Sequence, residues 1–114
     1  MSFFMEPYKP QVLKGTIASA AGTSGVIDLR GYSLAAIEVP TIVLGTLLTF
    51  QASTDVAGSY YTVYDSAGNT VSASYGTAGG QILTDLPELA PLRYVKLVTS
   101  GTQSSEKVFS LIVK

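Results

Sequence analysis

From Val12 to the C-terminus, apolar and polar residues alternate in short runs, and each run is stopped by glycine, proline, serine or asparagine. A period of two sends successive side chains to opposite faces of a strand, whereas a helix needs an apolar stripe recurring every three to four residues. In "LRYVKLVT" Arg93, Val95 and Leu97 share one face, and Tyr94, Lys96 and Val98 the other. "KVFSLIVK" sets Phe109, Leu111 and Val113 against Val108, Ser110 and Ile112. "GTLLTFQAS" sets Leu48, Phe50 and Ala52 against Leu47, Thr49, Gln51 and Ser53, and "VLKGTIASA" sets Leu13, Gly15 and Ile17 against Val12, Lys14 and Thr16. The shorter runs "VIDL", "LAAIEV", "YYTVY", "TVSASY" and "QILTD" complete the series. Eight or nine strands at a spacing of about ten residues, with turns between them, predict an all-β fold. The expected architecture is a single-domain antiparallel β-sandwich, jelly-roll-like, over residues 12–114. One helical turn is expected in "LTDLPELAPL", capped by Asp85 and stopped by Pro91.

Residues 1–11 follow neither period. Phe3, Phe4, Met5 and Tyr8 stand among Pro7 and Pro10, and proline holds itself and the residue before it extended. The segment reads as an extended N-terminal arm whose apolar side chains bind a partner by lying across a neighbouring subunit.

Composition narrows the function. At 114 residues the chain is long enough for one self-supporting domain. With 46% hydrophobic and 13% charged residues it is too apolar for a disordered chain, and thinly charged for a monomer that water surrounds on all sides. Part of the surface is therefore expected to meet another protein. The net charge of −1, with its seven cations scattered, gives no basic face for nucleic acid. No stretch approaches the ~20 apolar residues of a membrane helix, since "VPTIVLGTLLTF" is broken by Pro40 and Gly45. The N-terminus has no basic region followed by an apolar run, so a soluble protein made and assembled inside a cell is expected.

Histidine and cysteine are absent, which removes the Ser-His-Asp triad, the Cys-His dyad, disulfides and the usual zinc ligand sets. "GTAGG" at residues 76–80 lacks the lysine and following helix of a phosphate loop, and the acids lack calcium-loop spacing. No catalytic residue, cofactor or metal is expected.

The densest gathering of polar and aromatic groups is "QASTDVAGSYYTVYDSAGNT", residues 51–70. Asp55 with Gly58, and Asp65 with Gly68 and Asn69, read as structural turns at the two ends of a strand. A short aspartate accepts backbone N–H groups two residues on, and glycine and asparagine tolerate left-handed backbone. Between these turns Tyr60 and Tyr64 fall on one strand face and Tyr61 on the other. At most one face is core, so at least one tyrosine is expected to be a surface contact for protein or sugar.

The ordered blocks "GVIDLRGYSLAAIEVP", "GTLLTFQASTD", "YTVYDSAGNTVS", "LRYVKLVTSGT" and "VFSLIVK" resemble a group of small structural proteins of tailed bacteriophages. Those proteins carry an Asp-Leu-Gly-Gly-Tyr-like turn, a Leu-Thr-Phe-Gln-Ala-Ser strand, a Tyr-Asp-x-x-Gly-Asn hairpin and a Leu-Arg-Tyr-x-Lys-x-x-Ser-Gly-Thr strand and turn, in this order. Here the first block is Asp28, Leu29, Arg30, Gly31 and Tyr32, departing at one glycine position. The likeness covers about residues 25–114 and leaves out the arm. It implies a non-catalytic virion protein at the capsid surface, assembled in the host cytoplasm. Such a decoration (cement) protein binds the major capsid protein and copies of itself, as a dimer or trimer, and clamps neighbouring capsid subunits. The Ser53-x-Asp55-x-x-Gly58 loop is also similar to turns of carbohydrate-binding β-sandwiches. That likeness implies one alternative, a glycan- or receptor-binding module, and the phage likeness implies another, a tail or neck adaptor.

Overall fold

Nine strands pair into two antiparallel sheets in a computed structural model that describes residues 11–76, 78–84, 89 and 92–114. They are β1 (Gln11–Ile17), β2 (Ile27–Asp28), β3 (Leu34–Val39), β4 (Leu47–Ser53), β5 (Tyr61–Thr62), β6 (Ser72–Ser74), β7 (Gln81–Leu83), β8 (Tyr94–Thr99) and β9 (Lys107–Val113). Each falls within one of the alternating runs, except that β1 begins one residue before its run. Phe3, Phe4, Met5 and Tyr8 of the expected arm, and Asp85 and Pro91 of the expected helical turn, lie outside the described residues. Gln11, read from the sequence as the last residue of the arm, instead opens β1, because β9 extends far enough to pair it with Val113.

The first sheet has the order β1-β9-β3-β7, and the second runs β2-β8-β4, with β5 and β6 both on the far side of β4. β5 pairs with Gln51 and Ala52, and β6 with Leu47, Leu48 and Thr49. They are two pieces of one edge strand, parted by the hairpin that carries the Tyr64–Thr70 bridge. With β5 and β6 taken as one, eight strands form two four-stranded sheets, and most connections cross from one sheet to the other, the order of a jelly roll. Crossing connections follow from the alternation, since each strand has one apolar face to bury and the opposite sheet is the only layer available.

Ile17, Phe50, Leu97, Phe109 and Leu111 meet between the sheets with no exposed surface. At one end of the sandwich the core gives way to a buried polar knot around Gln103, which is 1% exposed. Its Oε1 accepts the Leu44 N–H at 2.9 Å, and its Nε2 donates to Leu44 O at 3.0 Å and Thr99 Oγ1 at 3.0 Å. The Tyr75 hydroxyl also donates to Leu44 O, at 2.7 Å, and burial pushes its phenol pKa up. The knot fastens the β3–β4 connection to the β8–β9 connection, and among the described residues no buried side-chain polar atom is left without a partner. No helix among them is long and apolar enough to cross a membrane.

Candidate interaction surfaces

The two turns around the tyrosines are held by their own side chains. Asp65 Oδ1 accepts the N–H groups of Ala67 and Asn69, both at 2.9 Å, while Gly68 N donates to Asp65 O at 3.0 Å. Gly68 takes the left-handed conformation with φ +85°, but Asn69 does not, because its N–H is drawn onto Asp65 and its carbonyl accepts the Asp65 N–H at 2.8 Å. At the other turn Ser53 Oγ accepts the Asp55 N–H at 3.1 Å, Asp55 Oδ1 accepts the Ala57 N–H at 3.3 Å, and Gly58 N donates to Asp55 O at 2.9 Å. Gly58 answers a need for room rather than for a left-handed backbone: a Cβ there would stand 2.8 Å from Ser53 Oγ.

The three tyrosines have different surroundings. Tyr60 is half-buried, with its hydroxyl donating to Val56 O at 2.9 Å and Lys96 Nζ 4.4 Å from the centre of its ring. Burial pushes its phenol pKa up. Tyr61 follows Ala52 on the inward side of the second sheet, at an edge where the core has ended, and is 71% exposed. With Ala52, Leu92 and the hydroxyl-bearing Ser53, Thr54 and Ser59 it borders an open depression of about 180 Å³. Tyr64 lies at the root of the hairpin and is exposed. Tyr61 and Tyr64 are thus open to a partner, while Tyr60 is engaged within its own chain.

Sequence reasoning overlooked the outer face of the first sheet. Cross-strand register arranges it in rows: Val12, Ile112 and Ala36; then Lys14, Ser110, Glu38 and Ile82; then Thr16 and Val108. Val12 and Ile82 are more than half exposed and Val108 is 41% exposed. Lys14 Nζ donates to Ser110 Oγ at 2.7 Å, and Glu38 forms no ion pair among the described residues. The signal was present in "KVFSLIVK", where both faces of the strand are apolar apart from Ser110.

The outer face of the second sheet is mostly polar, with Leu47 exposed at one end. Gln51 lies between Lys96 and Thr62, and Thr49 between Val98 and Ser72. At its edge Arg93 grips Asp28 through two bonds, Nε to Oδ1 at 3.0 Å and Nη2 to Oδ2 at 3.1 Å, and stacks 5.1 Å from the ring of Tyr94. The guanidinium holds the Asp28 carboxyl below the usual carboxylate range, and the carboxylate raises Arg93 in return.

In the β3–β4 connection, Ile42 is exposed and has φ +55°. A β-branched side chain is strained in that conformation. No cluster of three or more acidic side chains suited to a metal ion occurs among the described residues.

Fold and surface together define a jelly-roll sandwich with open apolar patches on separate regions. Comparison with models of protein families, with curated proteins and with solved structures gives no match.

Proposed function

We propose that this chain is a non-catalytic structural protein of a virus particle, a decoration protein that binds the outer capsid surface and clamps neighbouring major capsid subunits. The observation that carries this reading is how its open apolar side chains are distributed. Val12, Val108 and Ile82 stand on the outer face of the first sheet, while Val56, Tyr61 and Tyr64 stand around the β5 edge of the second. A subunit that bridges neighbours needs at least two separate contact regions, and a small enzyme needs none. The thin charge of the chain and its likeness to small phage structural proteins point the same way.

The energetics are those of area burial. At about 25 cal/mol per Å² of apolar surface, a contact of a few hundred Å² yields several kcal/mol before ordering costs are subtracted. Repetition over a shell turns such weak contacts into firm attachment. In this reading the chain assembles onto shells in the host cytoplasm and associates with copies of itself. The test is a count of copies per particle, together with removal of residues 1–11. Hundreds of copies and much weaker shell binding by the truncated protein are expected. Six or twelve copies would mean a tail or neck adaptor, and undiminished binding would remove the arm from the mechanism.

A second reading has one observation in its favour: Tyr61, open beside a depression bordered by Ser53, Thr54 and Ser59, has the ring and hydroxyls that stack and bond a sugar. Glycan binding lost on Tyr61→Ala, with incorporation into particles intact, would favour a carbohydrate- or receptor-binding module.

A further inference from the structure

We propose that the outer face of the first sheet joins two copies of this chain, packed face to face about a two-fold axis that follows β9. The inference deepens the self-association in the proposed function but needs no capsid.

The register carries it. A two-fold axis along β9, midway between two stacked faces, keeps β9 over β9 and lays β1 of one copy over β3 of the other. Residues of the same cross-strand row then meet. Val12 lies over the small Ala36, Lys14 lies over Glu38, and Val108 lies over its own counterpart. A two-fold contact requires each off-axis match to occur twice, as Val12 with Ala36 and Lys14 with Glu38 do, while Val108 meets its counterpart once on the axis. Lys14 and Glu38 flank Ser110 on either side within one chain, without an ion pair between them among the described residues. Across the axis each cation faces an anion, and stacked sheets about 10 Å apart place both heads within reach. Opposite charges so arranged fix the register and disfavour other pairings.

The size of the face sets the strength. The three strands that overlap, about 4.8 Å apart and each rising about 3.3 Å per residue, give a face of roughly 300 Å² per copy. The total stays below the ~1,000 Å² expected of a stable complex, so the dimer forms with concentration rather than being obligatory. That suits a sandwich whose core closes within one chain.

The test is sedimentation velocity on the full chain, from micromolar to near-millimolar concentration. A monomer–dimer equilibrium is expected. Lys14→Glu and Glu38→Lys, made singly, should each weaken it by about tenfold or more, because like charges then face each other. The double swap should restore it, and unchanged thermal melts would show that the variants fold. In a chain without cysteine, Val108→Cys places one thiol near the axis. A bismaleimide of about 10 Å, the spacing of stacked sheets, should link it into dimers, and Ser72→Cys on the other sheet should not be linked. A monomer at every concentration, a trimer, single reversals without effect, a double swap that fails to recover, or equal linking of Ser72→Cys would each overturn the proposal. Dimers that leave shells undecorated would defeat the capsid reading alone, and shells decorated by a monomer would defeat this inference alone.

Discussion

On the outer face of the second sheet, polar groups are engaged with one another: Arg93 holds Asp28, Lys96 covers the ring of Tyr60, and the Tyr60 hydroxyl bonds Val56. On the outer face of the first, aliphatic side chains frame one cation and one anion on opposite sides of Ser110. Both faces come from the same alternation of residues, yet Asp28 on the second is ion-paired within the chain, whereas Glu38 on the first forms no ion pair among the described residues. In the proposed dimer, these opposite charges, separated by a strand amid exposed valine and isoleucine, are matched by the second copy. A solvated face needs no such match, and its exposed pairs contribute little to stability when screened by salt. The following changes would break or sharpen this contrast.

The largest effect is expected from Gln103→Leu, because there are two faces only while the sandwich is closed. The change leaves the Leu44 N–H without its partner, while Leu44 O keeps the Tyr75 hydroxyl and Thr99 Oγ1 keeps Gly22 O and Gly101 O. With an unsatisfied group costing about 1–3 kcal/mol, a loss of roughly 2 kcal/mol is expected. A calorimetric melting temperature lower by several degrees checks it. A shift of only a degree or two would mean that the knot is ornamental to the closure of the sandwich.

Next comes an exchange of character between the faces. Val12→Lys with Ile82→Lys should leave folding stability within about 0.5 kcal/mol, because both side chains are exposed. It should nevertheless abolish self-association. Thr49→Lys with Ser72→Lys, the matching change on the second sheet, should alter neither. If both pairs acted alike in sedimentation, the distinction between the faces would be lost.

Alternation explains how much of this was legible beforehand. It is local, so every strand and the inward set Phe50, Val95, Leu97, Phe109, Leu111 and Val113 follow from residue order alone. Parity says which residues point outward, but not what covers them, and the openness of Val12, Ile82 and Val108 stayed hidden. Tyr61 was placed opposite Tyr60 by the same parity. Its exposure was not predictable, because it depends on where the core ends relative to a two-residue strand. The division of one edge strand into β5 and β6 was hidden too, since the Asp65 turn is local but the pairing of both pieces with β4 is not. Gln103 stands in the polar run "TSGTQSSEK", and only the meeting of two distant connections buries it.

The ion pair of the second face has a pH signature. Arg93 lowers the folded-state pKa of Asp28, so the pair's contribution is fully present above the unfolded carboxylate value, about 3.9. It is lost as pH falls through the lower folded value. Asp28→Asn should therefore be less stable than the parent at neutral pH, with the gap closing in strong acid and narrowing with added salt. Chemical denaturation at several pH values checks this. A gap that did not narrow as pH fell would assign the effect to the Arg30 N–H bond at Asp28 Oδ1 instead.

The smallest effect, and the only stabilising one, is expected beside that same carboxylate. The turn from Leu29 to Tyr32 is closed by Tyr32 N donating to Leu29 O at 2.9 Å, with φ +54° at Arg30 and +81° at Gly31. Two successive positive φ values are the signature of a type I′ turn, which favours glycine or asparagine at both positions. An arginine side chain in that conformation costs roughly 1–2 kcal/mol. Arg30→Gly relieves the strain but loosens the unfolded chain by about 0.5–1 kcal/mol, so the net gain is a fraction of 1 kcal/mol up to about 1 kcal/mol. The bond from the residue 30 N–H to Asp28 is made by the backbone and survives the change. A higher denaturation midpoint with an unchanged slope is the expected result. A fall in stability instead would show that the arginine side chain offsets its own strain, adding to the second face a pairing that Arg93 alone does not provide.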